Sequence, residues 1–219
     1  MQNTTATLDF VGVETFEGRS TGAGQTFGTT FGGSAISGTY TNVRIDPANV
    51  YGSAGGTGNH AVTFTSTGYE LSLTTARPEG INYFGYWLSA LDRGNKLDFF
   101  KGADLVYSFT PTSVINAIGI CPDAGNAYCG NPNFNPSPVL HEQFAFVNVF
   151  FEDGLTFDRI HFFESPQVGG YESDNHTVGY FIGSGGNAVP EPATWAMLIT
   201  GFGLVGAAAR RRNGKVVSA

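Results

Sequence analysis

An uncharged run near the C-terminus divides this chain of 219 residues into two environments. Ala193–Ala209 contains 17 residues without a charge, and Arg210, Arg211 and Arg212 follow at once. A run of this length is at the short end of what spans a hydrocarbon core, and arginines beside a span stay on the cytoplasmic side. A buried helix of a soluble domain would be amphipathic, and this run is apolar all round. The sequence therefore predicts a transmembrane helix over 193–209, with the preceding residues outside the cytoplasm.

A short motif begins just before this run. Pro190, Glu191 and Pro192 are followed by Trp195 and then, after the apolar residues, by the arginine cluster. In this combination the segment resembles the PEP-CTERM sorting signal in its Trp-containing variant. The resemblance implies recognition by exosortase, a membrane-embedded cysteine peptidase that cuts near the Pro-Glu-Pro element. A plain tail anchor would have the same hydropathy, and it is the motif that favours processing.

The resemblance implies four parts. Residues 1–183 form the extracytoplasmic domain, 184–189 a glycine-rich linker, 190–212 the sorting signal with its transmembrane helix, and 213–219 a cytoplasmic tail. The expected location is the cell surface or the extracellular space after processing, by way of an inner-membrane intermediate with the domain outside. The family also begins with a secretory leader. Residues 1–30 contain no apolar segment of that kind, so we expect the leader to lie upstream of the sequence given.

Short apolar runs separated by turn residues recur along the first 183 positions. Only 13 % of residues are charged and 14 % are aromatic, and with abundant glycine this favours strands joined by turns. Phe144–Glu152, apolar on both faces, is expected to be a central strand, and Asp153-Gly154 predicts a hairpin that places it beside Leu155–Phe163. The pattern predicts an all-β domain, a β-sandwich or jelly-roll-like fold. The other predicted strands are Ala61–Ser66, Tyr69–Thr75, Ile81–Leu88, Leu105–Thr110 and Thr177–Ile182.

A second, weaker resemblance concerns the domain. The aromatic run Tyr83–Trp87, with Asn95–Phe100 after it, is similar to a recurring pattern of exosortase-dependent surface domains. Those domains resemble carbohydrate-binding modules with a β-sandwich fold. In such a module Tyr83, Tyr86 and Trp87 are candidates for stacking on sugar rings. Core packing is the alternative, because large aromatic side chains are mostly buried.

The chain has two cysteines, Cys121 and Cys129, in one turn-rich segment. In an exported protein such a pair predicts a disulfide. A metal-binding pair is the alternative, but no Cys-x-x-Cys spacing or neighbouring histidine completes a site of that kind. We therefore expect a small loop closed by a disulfide bond.

Catalytic motifs are largely absent. His141-Glu142 begins like a zinc-peptidase motif, but Ala145 stands where the second histidine belongs. A glycosidase needs only two carboxylates that meet in space, so a secreted glycan hydrolase stays an alternative. Residues 1–189 contain 17 acidic and 7 basic residues. This balance repels phosphate backbones, and we expect no nucleic-acid partner.

Calcium is the one cofactor for which the sequence offers ligands. Jelly-roll binding modules often hold a structural calcium ion where the first and last strands meet, and the matching stretches here are Glu14–Glu17 and Glu172–Asn175. Glu17, Asp174 and backbone carbonyls would supply the oxygen ligands that calcium prefers. The alternative is that these residues only shape solvated turns.

Together these patterns predict an exported bacterial surface or extracellular-matrix protein that is processed by exosortase and has no catalytic activity. Its expected partners are exosortase, the membrane before processing, and extracellular polysaccharide. A carbohydrate-binding module of the cell surface and a secreted glycan hydrolase are the alternatives.

Overall fold

The computed structural model describes residues 4–183 with the exception of residue 124. In this part of the chain nearly all regular structure is extended, and every strand pairing is antiparallel, which confirms the all-β prediction. The strands are β1 (Thr7–Glu14), β2 (Gly22–Thr29), β3 (Ile36–Pro47), β4 (Asn59–Thr63), β5 (Tyr69–Thr75), β6 (Tyr83–Ser89), β7 (Asn95–Lys101), β8 (Asp104–Phe109), β9 (Ala145–Phe150), β10 (Arg159–Glu164) and β11 (Tyr171–Gly183). A short 3₁₀ turn (Ala54–Gly56) precedes β4, and α1 (Pro111–Ile118) follows β8.

The strands form one curled antiparallel sheet. The strand order is β8-β7-β10-β5-β3-β4-β11-β6-β9. Outside this order, β1 pairs with β11 and β2 pairs with β3. Alternate residues of β5 and β10 are buried, as a period of two requires for a sheet with one face on the core. The buried side chains form a core rich in aromatic rings, among them Tyr40, Tyr69, Phe84, Phe99 and Phe162.

Two strands are buried on both faces. In β6 and in the first ten residues of β11, nearly every residue is buried, so these strands run through the interior of the domain. A side chain on such a strand packs against neighbours whichever way it points. The near-continuous aromatic sequence of β6 agrees with this burial on both faces.

The hairpin predicted across Asp153-Gly154 is wrong. The turn itself forms, with φ angles of 54° and 77° at its two residues. The strands on either side then separate, because β9 pairs with β6 whereas β10 pairs with β5 and β7. Phe151 and Phe157 flank the turn, and each packs against Phe99 with ring centroids 5.1 Å apart. Their burial directs the chain across the core, and β9 is an edge strand of the sheet path rather than a central one.

The helix α1 was missed by the periodicity argument, although its ends carry the usual signals. Pro111 occupies the first turn, and Gly119 ends the helix at a φ of 87°. In residues 4–183, apart from 124, no helix is long and apolar enough to cross a membrane. The predicted span over 193–209, the linker over 184–189 and the tail over 213–219 lie outside the described residues.

Candidate functional site

The structure buries two of the three aromatic side chains predicted to stack on sugars. Tyr83 and Tyr86 have no exposed surface, so neither ring can meet a ligand. The Tyr83 hydroxyl donates a hydrogen bond to Oδ1 of Asn148 at 2.8 Å, so the polar end of this buried side chain has a partner. Trp87 is half-buried and packs beside Phe144, with ring centroids 6.5 Å apart. The correction follows from the burial of β6 on both of its faces.

The disulfide prediction is confirmed. Cys121 and Cys129 are bonded, with their Cα atoms 5.5 Å apart. The backbone of Cys129 also forms an isolated antiparallel β-bridge with Gln143, just before β9. The Gln143 side chain donates a hydrogen bond to the carbonyl of Gly119 at 3.0 Å. The closed loop is thereby attached at its base to the end of α1.

Glu17 and Asp174, the residues predicted to hold calcium, come near each other. Asp174 is buried, and its two carboxylate oxygens accept hydrogen bonds from the backbone N–H groups of Ala54 (2.8 Å) and Asn175 (2.6 Å). Burial, with repulsion from Glu17, raises the pKa of Asp174 to about 7. Glu17 is exposed, and its carboxylate lies against Gly58. Calcium at this pair stays a prediction, since the two carboxylates need backbone or water oxygens to complete a shell.

A different group of acidic residues surrounds a cavity of about 370 Å³. Asp92 reaches it from the turn after β6, Glu142 from the turn before β9, and Glu172 from the start of β11. We call this the carboxylate cavity. The rest of its lining consists of Tyr51, Phe64, Ala90, Val168, Gly169 and Gly170.

Asn95 holds the wall of the carboxylate cavity in place. This fully buried side chain accepts a hydrogen bond from the backbone N–H of Asp92 (2.6 Å) and donates to the carbonyl of Gly170 (3.0 Å). It also donates to the carboxylate of Glu164, which lies behind the cavity at the end of β10 and is itself fully buried. The backbone N–H of Gly170 donates to Oδ2 of Asp92 at 3.2 Å. One amide side chain thus fixes three segments that are distant in sequence.

Two adjacent glycines leave room for the carboxylates. A Cβ atom on Gly169 would overlap the carboxylate of Asp92, and one on Gly170 would overlap that of Glu172 and the ring of Phe64. Neither glycine has a positive φ. Glycine is therefore required for its small size, because without a side chain the backbone passes directly beneath the acidic groups.

The pKa values of all four acidic groups at the cavity are raised above their ordinary values. Burial raises the pKa of Asp92, Glu142 and Glu164, and the charge of Asp92 adds to the rise at the two glutamates. At Glu172, burial and then repulsion from these three carboxylates raise the pKa to about 8. Among the described residues, no lysine or arginine forms an ion pair with any of the four.

One buried oxygen at the cavity has no hydrogen-bond partner among the described residues. This oxygen is Oε2 of Glu142. Glu172 is only 7 % exposed, and its carboxyl group interacts with its own backbone N–H. Buried polar groups are almost always hydrogen-bonded, so each exception needs an explanation. A ligand that carries a donor would supply the missing bond.

Two aromatic rings stand at the rim of the cavity. Tyr51 is 44 % exposed and Phe64 is 45 % exposed, whereas most of the domain's rings lie in the core. The Arg44 guanidinium lies 5.6 Å from the centroid of the Phe64 ring, and its charge is paired with Asp46. The cavity therefore combines hydrogen-bond acceptors in its depth with apolar ring surface at its mouth, the usual composition of a small-molecule site.

Sequence reasoning missed this group because its members come from separate segments. Asp92, Glu142, Glu164 and Glu172 share no spacing motif, and His141-Glu142 drew attention only as an incomplete zinc motif. The Gly169-Gly170 pair just before Glu172 was the one local signal, since adjacent glycines allow a close approach to the backbone. The contact between these segments depends on the pairing of β11 with β6 and of β10 with β7, which no short-range pattern encodes.

Comparison with known proteins adds one assignment. Residues 188–212, near the C-terminus, match the family model described as the PEP-CTERM protein-sorting motif. This confirms the resemblance predicted from Pro190, Glu191, Pro192, Trp195 and Arg210–Arg212, all of which lie outside the described residues. The motif implies exosortase-dependent sorting to the cell surface or the extracellular space.

Similarity beyond the motif is distant. A solved structure of the K2 cleaved adhesin domain of Lys-gingipain is similar at 13 % identity and a TM-score of 0.40, and the match covers 77 % of this chain and 97 % of that chain. A likeness this remote carries no argument about function. No curated protein matches the sequence.

Proposed function

We propose that this chain is an exported bacterial surface or extracellular-matrix protein that exosortase processes and that has no catalytic activity. The observation that carries the proposal is the match of residues 188–212 to the PEP-CTERM motif. In this proposal 1–183 is the extracytoplasmic domain, 184–189 a linker, 193–209 the transmembrane helix and 213–219 the cytoplasmic tail. The arginines at 210–212 keep the tail inside, so the domain lies outside.

The proposal includes a jelly-roll-like sandwich for the domain. Its support is the antiparallel pairing of the first strand with the last: β1 pairs with β11 from Glu14, opposite His176, to Thr7, opposite Gly183. The strands β3 and β11 also share β4 as a neighbour, which links the two halves of the curled sheet. The first and last strands of the domain are therefore neighbours in the sheet.

Mass spectrometry of the native host's surface fraction tests the processing. We expect the mature chain to end near Pro190–Pro192 and to lack Trp195–Ala219. In a host without exosortase, and for a variant with Pro190 and Glu191 both changed to alanine, the full tail should remain. Alanine at Asn187, outside the predicted signal, serves as the matched control. Recovery of intact Ala219 from mature wild-type protein contradicts the proposal and reduces the tail to an anchor.

The carboxylate cavity favours a second candidate function, the binding of an extracellular glycan. A sugar hydroxyl group is a suitable donor for Oε2 of Glu142, which has no hydrogen-bond partner among the described residues, and the rings of Tyr51 and Phe64 offer surfaces for stacking. A glycan array probed with the mature protein tests this candidate. Incubation with the bound glycans and an assay for new reducing ends separates binding from hydrolysis. Release of sugars would favour the secreted hydrolase instead.

A further inference from the structure

Four strands in the described part of the chain pair with a single neighbour each. These are β1, β2, β8 and β9, which pair with β11, β3, β7 and β6 respectively. The open edge of such a strand presents a row of N–H and C=O groups to which another chain can pair. Proteins usually protect these edges with charges, bulges or prolines, and the four edges differ in this protection.

The edge of β9 lacks the protection that the other three have. The pairings of β1, β2 and β8 each contain at least one register shift, and β1 and β8 also carry the acidic residues Asp9, Glu14 and Asp104. By contrast, the pairing of β9 with β6 is regular along the whole of β9, which contains no charge, proline or glycine. Among the edge strands within residues 4–183, apart from 124, β9 is therefore the one best suited to pair with another strand.

An apolar groove of about 600 Å³ runs beside β9. Every residue of β9 lines it, together with side chains of β8 and α1. Tyr107 is 40 % exposed and Leu155 is 55 % exposed at this groove, and Glu152 is the one charged residue among the described residues that line it. Residues 1–189 contain 17 acidic and 7 basic residues, so two copies of the chain repel each other over most of their surface. The nearly uncharged region around β9 is where they can approach.

The sequence of β9 identifies a second copy of the chain as the occupant. Residues 146–150 read Phe-Val-Asn-Val-Phe, which is the same in both directions. Antiparallel pairing of two copies about Asn148 places Phe146 of one copy opposite Phe150 of the other, and each valine opposite a valine. Aromatic and β-branched pairs of this kind stabilise antiparallel strands. A two-fold interface requires such self-complementarity, whereas binding of an unrelated peptide does not.

We propose that two copies of this chain associate through β9, paired antiparallel about a two-fold axis at Asn148. The pairing joins the two sheets and gives the outward N–H and C=O groups of both edge strands their partners. It uses the backbone, so Asn148 keeps the hydrogen bond that its Oδ1 accepts from the Tyr83 hydroxyl. A stable interface needs on the order of 1,000 Å² of buried surface, so the exposed apolar side chains Tyr107 and Leu155 contribute as well. This association is independent of glycan binding.

Sedimentation equilibrium of the full chain in a density-matched detergent, from about 1 to 100 µM, measures the association. Asn148→Asp places two negative charges opposite each other on the axis and keeps the acceptor for Tyr83, and we expect the dissociation constant of the dimer to rise about tenfold or more. Asn49→Asp is the matched control, because Asn49 is exposed, lies outside the groove lining, and likewise accepts hydrogen bonds through Oδ1, from Tyr51 and Gly52. Thermal melting shows that each variant is folded. Wild type that is monomeric throughout, or a dimer that Asn148→Asp leaves unchanged, overturns the proposal.

Cysteine cross-linking tests the register. The chain's two cysteines are bonded to each other, so an introduced cysteine supplies the one free thiol. In the proposed pairing Asn148→Cys lies opposite its own counterpart, with Cα atoms about 4.5–5.5 Å apart and within range of a disulfide. Phe146→Cys is the control, because its counterpart in the second copy lies four residues, roughly 13 Å, further along the strand.

Mild oxidation should therefore give the covalent dimer in about tenfold higher yield for Asn148→Cys than for Phe146→Cys. Equal yields contradict a two-fold axis at Asn148. A monomeric wild type that instead binds a synthetic peptide of the β9 sequence along this edge would assign the edge to a different protein, and it too would overturn the pairing of two copies.

Discussion

The hydroxyl group of Tyr40 lies 2.9 Å from Nδ1 of His176, and both side chains are completely buried. The other ring nitrogen of His176 lies 2.9 Å from Oγ of Ser173, which in turn lies 2.9 Å from the hydroxyl of Tyr69. Four polar groups from β3, β5 and β11 thus form a chain of hydrogen bonds within an aromatic core. Every member has a partner, as a buried polar network requires.

The surroundings of His176 keep it uncharged. Its ring stacks on Phe162 with centroids 4.9 Å apart and planes 2° from parallel. Burial lowers its pKa to about 3, so the imidazole stays neutral over the whole physiological range. A neutral ring has one donor and one acceptor nitrogen, which matches its two hydroxyl partners. The network is therefore a structural feature of the buried core.

Removal of one hydroxyl from this network should destabilise the domain. Tyr40→Phe leaves Nδ1 of His176 without a partner, and we expect a loss of about 1–3 kcal/mol in the free energy of unfolding. Urea unfolding followed by tryptophan fluorescence measures it. Tyr107→Phe is the control, since Tyr107 is 40 % exposed and outside the network. Equal stability of the two variants would show that the network contributes nothing.

The charge of Glu172 should make the stability depend on pH. The pKa of Glu172 is raised from 4.5 to about 8 in the folded domain. Between these values the unfolded chain has released a proton that the folded domain keeps, so this group lowers the folding stability as the pH rises. Glu172→Gln removes the effect. We expect the variant to gain on the order of 2–4 kcal/mol over wild type at pH 8, and almost nothing near pH 4.5.

The difference between the two proteins isolates this group. His60 and His176 have lowered pKa values and affect the wild-type profile with the opposite sign, so the profile of wild type alone is not informative. Urea unfolding of both proteins at several pH values gives the difference directly. Glu79→Gln, at an exposed position, should follow wild type throughout. A constant difference between Glu172→Gln and wild type across the range contradicts the prediction.

The sequence predicted what depends on local pattern and failed where distant segments meet. The all-β class, the disulfide and the sorting motif follow from composition, from a pair of cysteines and from a contiguous signal. The Asp153-Gly154 turn was also recognised, but the turn does not determine which strands pair. Burial of Phe151 and Phe157 against Phe99 decides that, and these contacts are visible only in three dimensions.

The candidate site illustrates the same limit. The aromatic run of β6 drew attention because its side chains suit sugar stacking, yet Tyr83 and Tyr86 lie on opposite faces of a strand that is buried on both faces. The rings that are exposed beside acidic groups, Tyr51 and Phe64, lie in segments without any motif. Exposure depends on the position of a strand within the sheet, and a single sequence does not specify that position.

The disulfide should stabilise the domain through its loop. Replacing both Cys121 and Cys129 with serine opens a small ring, and the chain-entropy model gives a loss of about 2–3 kcal/mol in the free energy of unfolding. Urea unfolding measures the loss, and wild-type protein with a reduced disulfide should match the double variant. Labelling of native protein with a thiol reagent gives an independent check. Reaction of both cysteines under non-reducing conditions contradicts the prediction.

Calcium at Glu17 and Asp174 can be distinguished from any effect at the carboxylate cavity. The two carboxylates repel each other, and Asp174 is buried with a pKa near 7, so a cation that binds both relieves a cost of folding. Binding to the folded state alone raises the melting temperature. With calcium at about 5 mM, in the range that extracellular sites require, we expect the free energy of unfolding of wild type to rise on the order of 1–2 kcal/mol.

Controls identify the site. The rise should vanish in Glu17→Gln and persist in Glu142→Gln. Magnesium at the same concentration should have less effect because it demands a stricter octahedral shell. Differential scanning calorimetry of the full chain measures all of these. No shift in wild type, or a shift that disappears only in Glu142→Gln, would leave Glu17 and Asp174 as turn-forming residues without a bound ion.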